Sequence, residues 1–285
     1  MREMGSRRIR LGILDFGELA MRDVVACARA AEELGFSRYW LAEHAGLVTN
    51  ALLASAVVAS ATSRIRVGPA GVLLRYYPAA SVARDGLFLA RAFGRRIDLG
   101  LAAGRHREDA DYLDRRTHLY EPATLEEKIR GVAEKVAAHQ PARERPDLWL
   151  LGASDSPDRA RSAARLGANF CLSLIHTETP PSPLAIRAHR AEARRLRRAP
   201  GRTGVLIMLA CVASARARER TRRRSPHVGM LGPVIVEDAA NCRRKIEEIA
   251  RGYDVDEVTI LECSHGVRQR LASLTRLAEA FDGRL

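Results

Sequence analysis

The first candidate for acid–base chemistry is a histidine that directly follows a short hydrophobic segment. The segment RYWLAEH at 38–44 ends in Glu43 and His44, and its apolar centre is typical of a buried strand. Parallel α/β folds place their chemistry at the carboxyl ends of the strands. Imidazole exchanges protons near neutral pH, so His44 is predicted to be a general acid or base. The alternative is a rim histidine bonded to a backbone carbonyl.

The residues that follow this histidine contain a strand, a helix and another strand. Segments 64–71 and 96–101 are short and β-rich, and residues 79–93 carry apolar side chains at helical spacing. A strand–helix–strand order implies two parallel strands joined by a right-handed crossover. Gly71 ends the first of these strands, and a glycine there allows the backbone to approach a flat ring closely.

The same alternation extends over the whole chain and predicts a (β/α)8 barrel in a single domain, residues 1–285. An open, doubly wound sheet is the alternative, because a count of units does not prove closure. No GxGxxG motif follows the first strand, which disfavours a dinucleotide site. The predicted strands are 9–16, 37–42, 65–71, 97–101, 148–151, 168–172, 204–212 and 257–261. The predicted helices are 21–34, 51–62, 79–93, 124–139, 157–166, 183–198, 238–251 and 267–281.

The helix ends carry local signals. Thr124 with Glu127 three residues later predicts a capping box, and Ser156 followed by proline predicts an N-cap. Three glycines follow predicted helices, where a left-handed residue is expected. These glycines are Gly35, Gly167 and Gly252.

Composition excludes several classes of protein. The 285 residues contain no apolar run of eighteen, and no apolar segment follows the basic N-terminus, so neither a membrane span nor a secretory signal is expected. The five cysteines show no metal-binding spacing, and a reduced, cytoplasmic protein is predicted. The net charge is +13, but the arginine cluster at 216–224 has no interleaved aromatic residue to stack a base. A nucleic-acid partner is therefore disfavoured.

Six segments of the chain, taken in order, resemble the bacterial luciferase-like flavin monooxygenases. The segments are LGILDFGE (11–18), AEELGFSRYWLAEH (31–44), ATSRIRVGPAGVLL (61–74), GRRIDLGL (94–101), LWLLGAS (148–154) and GYDVDEVTILE (252–262). The resemblance implies a TIM barrel that uses reduced FMN from a separate flavin reductase, together with O2, to oxygenate a small organic substrate. It also implies a homodimer. The alternatives are a barrel that uses a reduced deazaflavin for hydride transfer, and a non-oxidative barrel that has lost flavin catalysis.

The resemblance also assigns residues to the cofactor. His44 would work near the flavin, and a cis peptide at Ala70-Gly71 would lie under the flavin ring. Ser154 and Ser156, at the start of a helix, would hold the phosphate, since helix N-termini bind anions. Relatives carry a phosphate-binding arginine at the position of Ala103. Arg105 or Arg107 is the predicted substitute.

Two further departures from the family pattern concern the pocket. Ala45 stands where relatives have a second histidine, and the region between the seventh and eighth barrel strands, which usually carries a long insertion, is short. We therefore expect a more open or smaller active site, with a specialised-metabolism intermediate as a possible substrate class. The predicted substrate-pocket residues are Asp15, Phe16 and His176. Glu262 and His265 have similar positions after a strand, and a structural role is the alternative for all five.

Overall fold

Strands and helices alternate through the computed structural model, which describes residues 8–43, 50–103, 123–224 and 232–282. The strands are β1 (Arg10–Asp15), β2 (Arg38–Leu41), β3 (Arg66–Pro69), β4 (Val72–Leu73), β5 (Asp98–Ala102), β6 (Asp147–Gly152), β7 (Asn169–Ser173), β8 (Thr203–Cys211), β9 (Val234–Glu237) and β10 (Glu257–Glu262). The helices are α1 (Met21–Glu33), α2 (Ala51–Ala61), α3 (Ala79–Phe93), α4 (Leu125–Ala138), α5 (Asp158–Arg165), α6 (Leu184–Arg195), α7 (Ala215–Arg224), α8 (Ala239–Tyr253) and α9 (Val267–Ala280). None of the helices within these ranges combines the length and apolarity needed to cross a bilayer.

The strands form one parallel sheet that closes on itself. Its order is β3-β2-β1-β10-β8-β7-β6-β5-β4, and β3 and β4 are successive parts of one chain segment. A parallel bridge between Val67 and Ile97 also joins β3 to the residue that precedes β5. The first and last strands are neighbours, with Ile13 opposite Ile260. The predicted barrel is therefore confirmed, and the open sheet is excluded.

The structure adds three features that the sequence pattern did not predict. Strand β9 pairs with the end of β8, from Met208 to Cys211, beyond the part of β8 that pairs with β7. The arginine-rich segment, which is absent from the predicted helices, forms helix α7. Gly35 and Gly167 have the expected positive φ, but α8 continues past Gly252 and Asp254 adopts the left-handed conformation instead. The prediction for Gly252 was therefore wrong by two residues.

Alternation along the strands separates two apolar layers. On β2, Tyr39 and Leu41 pack in the large cluster that includes side chains of the surrounding helices, whereas Trp40 packs in a second cluster. The second cluster also contains Trp149 and Met208, which come from β6 and β8. Because successive side chains of a strand point to opposite faces, the second cluster is the barrel interior.

A buried arginine lies at the N-terminal end of the barrel interior. Arg38 is 1% exposed, and its Nη1 donates to Asp98 Oδ2 at 2.5 Å while its Nε pairs with Glu257. The guanidinium carbon lies 4.8 Å and 4.5 Å from the ring centroids of Trp40 and Trp149. Both indole N–H groups donate to Asp98, at 3.3 Å each. The three charged side chains and the two rings therefore hold one another in place.

More ion pairs extend this cluster toward solvent. Arg66 donates to both Asp98 and Asp147, at 2.6 Å each, and Arg202 also pairs with Asp147. Burial raises the pKa of Asp98, but the positive charges of Arg38 and Arg66 outweigh burial and hold it below its ordinary value. The carboxylate is therefore ionised, and its charge is compensated.

Removal of the buried guanidinium is expected to destabilise the protein strongly. Arg38→Met removes the buried cation that Asp98 and Glu257 share and leaves them only the more exposed Arg66 and Arg10, and loss of a buried ion-pair partner costs about 3–5 kcal/mol. Urea unfolding followed by circular dichroism measures the change. The control is Arg84→Met, which breaks an exposed pair with Asp85 and should cost at most about 1 kcal/mol. Equal losses in the two variants would contradict this account of the cluster.

Candidate active site at the barrel mouth

Small and apolar side chains line the barrel interior toward the carboxyl ends of the strands. Because the helices and loops after each strand surround this end, it is where such barrels bind ligands. Residues of the interior cluster near this end are Ala42, Ala70, Ile175, Ala210 and Cys263, with Phe16 and Leu151 packed against them. Phe16, predicted to line the substrate pocket, therefore lies against the same cluster as Ala70. A cup of this kind suits a flat, largely apolar ligand.

The peptide between Ala70 and Gly71 is cis, as the resemblance implied. Ala70 is buried in the interior cluster. A Cβ atom on Gly71 would lie 2.7 Å from Leu151 Cδ1 and 3.0 Å from the Ala102 nitrogen and the Gly100 oxygen. The close approach that requires this glycine is therefore an approach to strands β5 and β6. Contact of the dipeptide with a flat ring stays a prediction.

Glu43 is fixed by two hydrogen bonds at the rim. Its Oε2 accepts from the Leu73 N–H at 2.9 Å, and its Oε1 accepts from the Tyr77 hydroxyl. This side chain therefore joins the end of β2 to the end of β4 and to the segment that follows it. His44, the predicted acid–base residue, lies outside the described residues.

Ser173, the last residue of β7, and His176 form a polar pair. The Ser173 hydroxyl lies 2.6 Å from His176 Nδ1. Ser173 is 2% exposed, whereas His176 is exposed to solvent. His176, predicted as a pocket residue from its position, is thus coupled to a buried hydroxyl.

A basic pocket lies beside the first turn of α4. Arg75, Ala123, Thr124, Leu125 and Lys128 line it. Lys128 is 3% exposed, and its ammonium donates to the carbonyl oxygen of Tyr77 at 3.2 Å. The Arg75 Nε is buried without a hydrogen-bond partner. The predicted capping box of Thr124 and Glu127 is present and fixes the start of this helix.

The serines predicted to hold a phosphate have acidic neighbours. The Ser156 hydroxyl donates to the Asp158 carboxylate at 2.9 Å and lies 3.4 Å from the Asp158 N–H. Pro157 is the N-cap residue of α5, so the predicted N-cap at Ser156 was wrong by one residue. Asp155 accepts from the Ser182 N–H, and the hydrogen bonds from Ser182 lower its pKa. Ser154 is exposed. Phosphate binding by Ser154 and Ser156 stays a prediction, as does the role of Arg105 and Arg107, which lie outside the described residues.

Asp15 faces the helices rather than the barrel interior. Like Leu11 and Ile13, it lies on the outer face of β1, and its carboxylate accepts from the Tyr39 hydroxyl at 2.5 Å and from Arg270 Nη1 at 3.1 Å. Burial, and then the Asp15 charge, raise the pKa of Tyr39 well above its ordinary value. This geometry gives Asp15 a structural role and lends no support to its predicted place in a substrate pocket.

The family profile described as luciferase-like monooxygenase matches residues 9–273. The chain belongs to this family. Among curated relatives, protein YwcH of Bacillus subtilis (strain 168) is 25% identical over 93% of this chain and 94% of its own length. The N-acetyl-S-alkylcysteine monooxygenase of the same organism is 33% identical over 57% of this chain and 56% of its own length.

Solved structures share the fold. The crystal structure of apo-MsnO8 is 25% identical, has a TM-score of 0.79, and the match covers 96% of this chain and 99% of that chain. An F420-dependent secondary alcohol dehydrogenase in complex with an F420-acetone adduct has a TM-score of 0.72 at 14% identity, with 96% and 99% covered. The oxygenating constituent of 3,6-diketocamphane monooxygenase from Pseudomonas putida, in complex with FMN, has a TM-score of 0.67 at 15% identity, with 95% and 98% covered.

Sequence reasoning missed four polar residues of the mouth. Ser173 stands one residue after a predicted strand, and Glu43 was read only as the neighbour of His44. Lys128 is one of three lysines in a chain rich in arginine, which is a weak signal. Nothing in the sequence pointed to Arg75, because it is far from Lys128 along the chain and only the fold brings the two into one pocket.

Gly71→Ala is expected to distort the mouth, because its Cβ would meet backbone atoms of β5. We expect a loss of about 1–3 kcal/mol in the free energy of unfolding, measured by urea unfolding. Gly131→Ala in α4 is the control, since its Cβ would lie at an ordinary 3.5 Å from the Ala79 Cβ. That change should be neutral or stabilise the helix by up to about 1 kcal/mol. A Gly71→Ala protein as stable as the wild type would refute the packing argument.

Proposed function

We propose that this protein is a flavin-dependent monooxygenase that uses reduced FMN and O2 to oxygenate a small organic compound. The observation that carries the proposal is the pairing of an apolar mouth, suited to a flat ring, with a basic pocket, suited to a phosphate. Both lie at the end of the barrel where the strands finish. Membership of the luciferase-like monooxygenase family supports the reaction class.

The residues present fit a phosphorylated flavin. Buried hydrogen-bond donors rarely lack a partner in folded proteins. The buried Arg75 N–H at Nε has none, so a phosphate oxygen of a ligand could accept from it. Lys128 adds a second positive charge, and Thr124 and Leu125 begin a helix whose N-terminus favours anions. In relatives an arginine occupies the position of Ala103, so Arg75 and Lys128 are candidates to supply the missing charge in this chain.

The chain's own residues would bind, orient and shield the reacting groups. Reduced flavin supplies the electrons that activate oxygen. Ala42, Ala70 and Ile175 would exclude water from one face of the ring, and exclusion of water strengthens electrostatic interactions in the site. Glu43, held by Leu73 and Tyr77, would fix the end of the chain segment that leads to His44. His44 would hold or release one proton near the reacting atoms.

The second candidate function is hydride transfer with a reduced deazaflavin. It is favoured by the fold that this chain shares with the F420-dependent alcohol dehydrogenase, and a phosphate-bearing deazaflavin would use the same basic pocket. A non-oxidative barrel is the third candidate, favoured by Ala45 and Ala103 at positions where relatives carry functional side chains. Binding of reduced FMN under anaerobic conditions, followed on mixing with air by flavin reoxidation at a rate different from that of free reduced FMN, distinguishes the first candidate from both.

The protein would depend on other proteins in two ways. A separate flavin reductase would supply reduced FMN, as the family resemblance implies.

A second copy of the chain would cover the neighbouring helices α2 and α3. Leu53, Val57 and Phe88 are exposed there, and α2 carries no charged side chain. Large exposed apolar side chains on adjacent helices commonly mark a protein interface.

Substitutions at the basic pocket test the cofactor placement. A charge-assisted hydrogen bond contributes about 1.5–3 kcal/mol, which corresponds to about ten- to hundredfold in affinity. Lys128→Gln should therefore weaken reduced FMN binding by about tenfold or more, and Ala103→Arg should tighten it. Anaerobic fluorescence titration measures both. Lys135→Gln, at the far end of α4, is the control. Unchanged affinity in Lys128→Gln and Ala103→Arg would contradict the placement of the phosphate.

Two substitutions that introduce charge on α2 and α3 test the proposed dimer interface. Leu53→Glu combined with Phe88→Glu should convert the dimer into a monomer of 31.4 kDa, measured by light scattering at micromolar concentration. Leu184→Glu is the control, because Leu184 is also exposed but lies on α6. A wild-type protein that is already monomeric would contradict the proposal.

A further inference from the structure

We propose that Ser173 and His176 form a proton relay that ionises an acidic hydroxyl of the bound substrate, a phenol or an enol. The inference rests on the proposed monooxygenase function, because it assigns the substrate class of the same mouth. It is carried by the geometry of one buried hydroxyl and one exposed imidazole, 2.6 Å apart.

Ser173 points into the barrel. Its neighbours at two-residue spacing, Cys171 and Ile175, both belong to the interior cluster, and strand alternation places the Ser173 side chain with them. Leu206, opposite Ser173 on β8, is in the same cluster. The hydroxyl is therefore a polar group on an otherwise apolar wall, where a hydrogen bond to a ligand orients that ligand.

The backbone around His176 is fixed. Leu174 N–H donates to the Leu206 oxygen at 2.9 Å, and Gly232 N–H donates to the Ile175 oxygen at 2.8 Å. Gly232 packs so closely that a Cβ there would lie 2.4 Å from the Thr177 oxygen. The loop therefore holds the imidazole against Ser173 while leaving it exposed to solvent.

A serine hydroxyl alone is too weak a base to take a proton at neutral pH, but imidazole is suited to this task. With the Ser173 hydroxyl as donor, Nδ1 of His176 is the acceptor and Nε2 carries the proton of the neutral ring. The substrate hydroxyl proton moves to Oγ as the Oγ proton moves to Nδ1. The products are a substrate oxyanion and an imidazolium, and the opposite charges of this pair stabilise the oxyanion. Only O–H and N–H bonds form and break.

The charge of the mouth favours an anionic product. The net charge of the chain is +13, and Arg75 and Lys128 lie at the same end of the barrel. The rim carboxylate of Glu43 is engaged by Leu73 and Tyr77. Ionisation also makes the attached ring or double bond electron-rich, which is the property that oxygen transfer requires of a substrate.

The test uses 4-nitrophenol as the probe, because its phenol and phenolate forms have different absorption spectra. Titration of the wild type across pH should show that the bound probe ionises at a lower pH than the free probe, by about one unit or more, as expected near an opposite charge. Ser173→Ala and His176→Gln should remove most of this shift. Ser173→Thr, which keeps the hydroxyl, should restore it.

Two controls separate the possible results. His265→Gln changes another exposed histidine that follows a strand and should keep the wild-type shift. Reduced FMN affinity, measured on the same variants, should be unchanged, so failure of flavin binding is distinguishable from failure of the relay. The relay is overturned if the wild type does not bind the probe, if the bound probe shows no shift, or if His176→Gln keeps the full shift.

Discussion

The ion pair of Arg38 with Asp98 and Glu257 is the interaction on which the barrel depends. These residues open strands β2, β5 and β10, so one guanidinium joins three strands that are distant along the chain. The free-energy cost of burying an unpaired charge at this depth would be very large. The guanidinium is tolerated here because the two carboxylates compensate its charge. Trp40 and Trp149 contact the guanidinium and each other, with ring centroids 5.2 Å apart, and exclude water from that side of it. The N-terminal end of the barrel is therefore closed.

Because the N-terminal end of the barrel is filled by these side chains, a ligand can bind only at the carboxyl ends of the strands. Toward the carboxyl ends of the strands, the interior positions change from large and charged residues to small ones such as Ala42 and Ala70. Strands must stay close together here, and Gly71 and Gly100 allow this because a Cβ on either would collide with the adjacent strand. Two polar side chains of the mouth are fixed by hydrogen bonds, Glu43 by Leu73 and Tyr77 and Ser173 by His176.

A second charged cluster joins the first barrel strand, β1, to the last, β10. Arg270 of α9 lies between Asp15 at the end of β1 and Glu262 at the end of β10, with the nearest atoms 3.1 Å and 3.4 Å apart. Burial raises the pKa of Glu262, and the positive charge of Arg270 opposes this rise. The last helix therefore ties the first strand to the last. A carboxylate that sequence position made a candidate for catalysis is used here to hold the barrel shut.

Local sequence determined the elements of this protein, and tertiary structure decided how side chains meet. Apolar periodicity predicted the eight barrel strands, and the capping pair Thr124 and Glu127 predicted the start of α4, because both depend on residues a few positions apart. The short strands β4 and β9 escaped prediction, since pairing with β5 and β8 defines them. The contacts of Arg38 with Asp98 and of Asp15 with Arg270 span 60 and 255 residues. Only closure of the sheet brings such residues together, so the sequence revealed the barrel and its family, whereas the fold revealed which polar side chains face its mouth.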